Sequence, residues 1–206
     1  MNSLLCLFAL AAPAFGAISI SLPGTSESAS WTLTSALHPG FNSFGTAANL
    51  WATTVAPDAG TASAALTKVS GSGYIGGTFL YTAGSLGSFS ISDIASISAL
   101  ETVVFQGKIS DPFASIIFNY NGGNQALPAD FSVVVAGSGY PDRAWQWDLS
   151  GVAGISSYEI LISGHFAANS MSVTAGDSFV QVIPEPSACL LGFAALGFTL
   201  TRRRRA

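Results

Sequence analysis

The chain has 206 residues, 49% hydrophobic and only 9% charged, with a formal net charge of −4. Four of its seven basic residues, Arg202, Arg203, Arg204 and Arg205, and one of its eleven acidic ones, Glu185, sit at one end, which leaves Lys68, Lys108 and Arg143 against ten carboxylates, a formal −7, over the rest. So acidic a surface repels phosphate backbones and argues against a nucleic-acid partner. The two cysteines, Cys6 and Cys189, lie in the terminal segments, so the body between them is not stapled by disulfides.

Met1 to Ala17 reads as a secretory signal (residues 1–17). Leu4 to Ala12 is an apolar run of the expected length, and Ala12-Pro13-Ala14 and Ala14-Phe15-Gly16 supply small residues for signal peptidase. The segment implies export through the Sec machinery and cleavage between Ala14 and Ala17, although Met1-Asn2-Ser3 carries no Lys or Arg. Residues 18–182 then form one domain. A body of that size buries roughly 70% of the surface of its unfolded chain and stands on its core alone.

The body carries strand signals almost throughout. Ile18 to Leu22 and Trp31 to Thr34 alternate with period two. From Phe41 to Lys68 the pattern gives way to Ala, Thr, Gly and Asn, read as a long excursion with a turn at Pro57-Asp58-Ala59-Gly60 and one short helix over Ala62 to Val69. Tyr74-Ile75 and Thr78 to Tyr81 resume strand, with a bulge expected at Gly76-Gly77, and Phe89-Ser90-Ile91 follows. Thr102 to Gln106 is apolar on both parities, the mark of a central strand covered on both faces. Ser115 to Tyr120 runs into a hairpin-grade turn at Asn121-Gly122-Gly123, with Phe131 to Val135 as the returning strand. Trp145, Trp147 and Leu149 share one parity, with Gln146 and Asp148 on the other, and Tyr158, Ile160 and Ile162 repeat that geometry. Met171 to Ala175 and Phe179 to Ile183 close the domain. The fold class is all-β, an antiparallel β-sandwich that is jelly-roll-like by strand count, flanked by an N-terminal signal helix and a C-terminal transmembrane helix.

The tail, residues 183–206, has three parts in order. Pro184 and Pro186 bias the chain around Glu185 towards an extended segment. Ser187 is an N-cap candidate, and Ala188 to Thr201 has no polar face. Those fourteen residues reach only ~21 Å at ~1.5 Å each, against a hydrocarbon core of ~30 Å, a marginal span that suits a temporary anchor. Arg202 to Arg205 can snorkel and hold that end on the cytoplasmic side. The other reading, a buried core helix with a solvated basic end, fits four arginines beside an uncharged run less well.

Proline-glutamate-proline motif, short hydrophobic helix and arginine cluster together resemble the PEP-CTERM sorting signal, over about one eighth of the chain. The resemblance implies a Gram-negative bacterium and recognition by an exosortase, a polytopic membrane protease or transpeptidase. It also implies inner-membrane anchoring until processing, then release to the cell surface or extracellular matrix. Carried over, Pro184, Glu185 and Pro186 are the sorting motif and the arginines hold the tail in the membrane. Trp147-Asp148-Leu149-Ser150-Gly151 followed by Ile155 to Ile160 also resembles a recurrent pattern in the bodies of such proteins, and brings no active site with it.

Candidate chemistry in the body is sparse. Asp148, Glu159, His165 and Asp177 are the polar residues nearest strands. A carboxylate pair about 5 Å apart, or roughly 6.5–9.5 Å apart, could run glycoside hydrolysis, but turn carboxylates solvating strand ends account for them more simply. His38 and His165 are far apart in the chain, and neither H-E-x-x-H nor a calcium loop motif occurs, so no cofactor or metal site is expected, a stray calcium at a loop being the minor alternative. No G-x-S-x-G elbow is present, and Gly71-Ser72-Gly73 and Gly137-Ser138-Gly139 read as turns, not phosphate cradles. Of the tryptophans, Trp145 and Trp147 belong to the core by parity, while Trp51, in the irregular excursion, is the candidate glycan contact. The expected function is a non-catalytic surface or matrix protein with a role in adhesion or biofilm. The alternative is a carbohydrate-binding module for exopolysaccharide, and a glycoside hydrolase ranks third.

Overall fold

Period-two alternation builds nearly every element of the fold. The computed structural model describes residues 20–41, 51, 53–82, 86–111, 113–135 and 139–183. Its strands are β1 (Ser26–Thr32), β2 (Ala59–Gly60), β3 (Ala65–Gly71), β4 (Tyr74–Gly76), β5 (Phe79–Tyr81) and β6 (Gly87–Asp93), then β7 (Thr102–Ile109), β8 (Ser115–Tyr120), β9 (Phe131–Val135), β10 (Asp142–Asp148), β11 (Tyr158–Gly164) and β12 (Ala167–Gly176). The larger sheet runs β2-β1-β12-β7-β10-β9, with β5 joined to the start of β12 and β4 to β5; the smaller runs β3-β6-β11-β8. Every pairing is antiparallel.

The two sheets meet face to face over one core. Trp31, Phe105, Trp147, Met171 and Val173 come from the larger sheet, and Leu66, Phe89, Ile91, Phe118, Ile160 and Ile162 from the smaller. Rings lock the layers together: Phe118 lies 5.4 Å from Trp147 across the gap, and stacks on Tyr158 at 5.7 Å. Each such side chain, fully buried, contributes on the order of 1.5–3 kcal/mol. The strand covered on both faces is β7, where Thr102 to Phe105 are all buried, and it sits between β12 and β10 as its double-parity apolar run requires.

Several local expectations fail for identifiable reasons. Ala62 to Val69 is not helical: Leu66 and Lys68 point inward while Val69 is exposed, and the segment pairs with β6 as β3. Gly76-Gly77 is not a bulge but the approach to a tight turn, with Gly77 at φ 60° and Gly76 opposite Phe79 in the β4-β5 hairpin. At 120–123 the turn forms, with φ 50° at Asn121 and 66° at Gly122, and the Gly123 N–H donates to Tyr120 O at 2.9 Å. The chain doubles back there for the single bridge Phe118–Leu127. It then crosses to the other sheet, so Phe131 to Val135 pairs with β10 and not with β8.

The excursion is tied down by Trp31, whose indole N–H donates to Val55 O at 3.0 Å. Ile20 to Leu22 and Phe179 to Ile183, both expected as strands, are irregular. The signal and the tail from Pro184 onward lie outside the described residues, among which no helix is long and apolar enough to cross a membrane.

Candidate functional site

Cross-strand register arranges the outer face of the larger sheet in rows. One row reads Thr32-Ser170-Lys108-Asp142-Val135, the next Ser30-Ser172-Gln106-Ala144-Val133, and the next Ser28-Thr174-Val104-Gln146-Phe131. The β1-β12 side of this face is therefore hydroxyl-rich and the β10-β9 side apolar. The apolar side is covered by the two irregular end segments. Leu22 and Ile183 are buried with Val104 and Ala144, and Ile20, Val182, Phe131 and Val133 pack around them. Phe179 stacks on Phe131 at 6.1 Å.

Gln146 holds the departing chain. Its side chain is fully buried. The amide nitrogen donates to Val180 O at 2.7 Å and to Thr102 Oγ1 at 3.1 Å. The amide oxygen accepts from the Val182 N–H at 3.0 Å and the Ile183 N–H at 3.3 Å. Both ends of the amide are thus satisfied in the way a strand neighbour would satisfy backbone, which explains why 180–183 needs no ladder of its own. Its parity was legible as outward. What was not legible is that a segment remote in sequence covers that face.

Entry and exit are also fastened to each other. Thr25 N–H donates to Asp177 Oδ1 at 2.9 Å, and Asp177 N–H returns a bond to Thr25 O at 3.1 Å. Hydrogen bonding from Thr25, aided by Ser178, holds the Asp177 carboxyl below the usual carboxylate range. Asp177 is therefore a cap between chain ends. Ile183, expected at the head of the tail, is buried in the body.

A second cluster sits on the β4-β5 hairpin. Ile75 and Leu80 face the core, which turns Tyr74, Phe79 and Tyr81 outward. Tyr81 meets Tyr74 and Phe79 edge-on at 6.1 Å each and His165 at 5.8 Å. His165 is exposed. Rings presented in this way offer C–H-rich sugar faces a stacking surface.

The other candidate residues are dispersed. Trp51 is half-buried between Phe41 at 5.0 Å and Phe89 at 5.5 Å, so its ring already stacks on protein. Trp147 is fully buried, and Trp145 packs on Phe105 and Phe113. Asp148 accepts from the Ser150 N–H and hydroxyl at 3.0 and 2.6 Å, a turn cap. Asp148 and Glu159 stand on the outer faces of different sheets, each one position from an inward residue, so they do not face each other. His38 lies 3.4 Å from Asp58. Among the described residues no group of three or more His, Cys, Asp or Glu converges. Pro184, Glu185, Pro186 and Arg202 to Arg205 lie outside the described residues. Comparison with known families, curated proteins and solved structures finds no match to this chain.

Proposed function

We propose that the chain is an exported surface or matrix protein, processed by an exosortase, with a non-catalytic sandwich as its body. The observation that carries the reading is continuity: Ile183, the last of the described residues, is buried, and Pro184-Glu185-Pro186 begins at the next position in the sequence. A recognition motif there follows directly on an anchored strap. The apolar run and arginines behind it then act as a temporary membrane anchor, and signal peptidase and the Sec machinery act at the other end. From β6 onward most successive strands alternate between sheets, which supports a jelly-roll-like wrap. Asp148 and Glu159 stand on different sheets, so they lend the glycoside hydrolase reading no support. The test is mass spectrometry of the mature C-terminal peptide from the native host, with and without its exosortase. A terminus between Pro184 and Ser187 that depends on the enzyme is expected; an intact end at Ala206 in both strains refutes sorting.

The second reading, exopolysaccharide binding, is favoured by the outward Tyr74, Phe79, Tyr81 and His165 cluster and no longer by Trp51. Calorimetry against a panel of soluble exopolysaccharides, with Tyr81→Ala as the control, tests it. Absence of heat across the panel retires it.

A further inference from the structure

At one end of the sandwich, strands from the two sheets bring two carboxylates together, with no ion pair to a cationic side chain among the described residues. Glu27 comes from β1 in the larger sheet and Asp93 from the last position of β6 in the smaller. Asp93 is fully buried. Its Oδ1 accepts from Ser63 Oγ at 2.5 Å and from the Ala95 N–H at 3.0 Å. Its Oδ2 is buried and has no partner. Tyr158 stands directly across the ladder from Asp93, 3% exposed, and its hydroxyl is buried and unpartnered as well. The loop after β6 completes the surround: the Ile97 N–H donates to Glu27 Oε1 at 3.1 Å, and the neighbouring Ser96 Oγ is a third buried oxygen without a partner.

Burial first, and the Asp93 charge after it, push the Glu27 carboxyl above the usual carboxylate range. Burial together with the charges of Asp93 and Glu27 pushes the Tyr158 phenol well above its own. The Ala95 and Ile97 N–H groups, two residues apart in one loop, bind Asp93 and Glu27, and Tyr158 pairs with Asp93 across the ladder, which brings the three groups into one neighbourhood. A depression of about 210 Å³ lined by Asp93, Asn119, Tyr158 and Glu159, though not by Glu27, opens on the smaller-sheet side.

Buried polar oxygens are almost always satisfied, and a fully buried carboxylate beside a half-buried one calls for a positive charge between them. We infer that Glu27 and Asp93, with the Ser96 and Tyr158 hydroxyls beside them, form a binding site for a hard divalent cation, calcium in preference to magnesium. The donors are all oxygens, which disfavours zinc and copper, and a set mixing two carboxylates with hydroxyls suits calcium, whose shell is adaptable, better than the strict octahedron of magnesium. The ion joins the two sheets where β1 begins and β6 ends. This inference is independent of the sorting reading, since it uses only residues of the body.

The experiment takes the full chain in mild detergent, strips it with EDTA and titrates it with Ca²⁺ while Tm is followed by circular dichroism. Parallel titration with Tb³⁺ reads luminescence sensitised by Tyr158. At about a hundredfold excess over Kd, Ca²⁺ is expected to raise Tm by roughly 5–10 °C, with Mg²⁺ doing much less, and to displace Tb³⁺. Glu27→Gln keeps an acceptor for Ile97 and loses both responses. Tyr158→Phe removes one hydroxyl donor, so it weakens the Ca²⁺ response without abolishing it and loses a large part of the Tb³⁺ emission. No Tm change and no sensitised emission at any Ca²⁺ or Tb³⁺ concentration would overturn the inference, leaving a proton shared by the two carboxyls. Responses that survive in both Glu27→Gln and Asp93→Asn would also overturn it, because the ion then sits elsewhere.

Discussion

Gln146→Ala is the sharpest probe of how the body holds its exit. The substitution removes the donor to Val180 and Thr102 and the acceptor for Val182 and Ile183. Each intramolecular hydrogen bond contributes a net ~1 kcal/mol, and backbone groups left buried without partners cost about 1–3 kcal/mol each. The strap can escape the larger penalty by peeling away into water, so the loss is capped by what the strap itself contributes, about 2–4 kcal/mol. For a domain of this size that lowers Tm by roughly 4–12 °C. Hydrogen exchange is the discriminating assay. In the parent the amides of Val182 and Ile183 are protected, and in Gln146→Ala they exchange at the rate of a free peptide while β7 and β12 stay protected. Unprotected Val182 and Ile183 amides in the parent, or unchanged exchange and Tm in the variant, would refute the argument.

Other expectations follow from single contacts. Gly60→Ala should be destabilising by several kcal/mol in urea unfolding, since φ is 121° there and an added Cβ would lie 2.0 Å from Ser28 O; a loss below about 0.5 kcal/mol contradicts it. Trp31→Phe keeps most of the ring but removes one of the two donors to Val55 O, the other being the Leu66 N–H, and should cost about 0.5–1.5 kcal/mol in chemical denaturation, with proteolysis appearing first near Val55. Asp177→Asn tests the cap by pH. Because the folded pKa lies below the ordinary 3.8, the carboxylate stabilises above that value and the contribution disappears as pH falls through the folded pKa. The variant should therefore lose stability at neutral pH and converge with the parent in acid. Equal losses at both pH values would assign Asp177 a purely steric role.

The parity of strand residues was legible wherever one face meets the core. Trp147 and Leu149 inward, Tyr158, Ile160 and Ile162 inward, and the doubly covered Thr102 to Phe105 all follow from local pattern. Pattern gave out where the partner is remote in the chain. Lys68 faces inward on β3, so its alternation with Leu66 was masked by charge and by the helix-friendly alanines before it. Gln146 looks like a solvent residue until 180–183 is laid over it. Glu27 and Asp93 are unremarkable in sequence, since only the stacking of two sheets makes them neighbours. The outward ring cluster was hidden differently: Tyr74, Phe79 and Tyr81 read simply as strand formers, and nothing local says that Ile75 and Leu80 take the inner face.

The place of β12 in the larger sheet has a mechanical consequence. It is flanked on one side by β1, from Ser26–Gly176 to Thr32–Ser170, and on the other by β7, from Thr102–Gly176 to Ile109–Ala168. A pull on the chain beyond Ile183 must first strip the Gln146 strap and then load β12 from its last residue. Along the strand axis both ladders resist together in shear, so many bonds must break at once. Pulled at right angles to the sheet, the same strand opens one pair at a time. A body tethered by that end is therefore strong in one direction and yielding in the other, with the strap as a weak link that lengthens before the sandwich gives way.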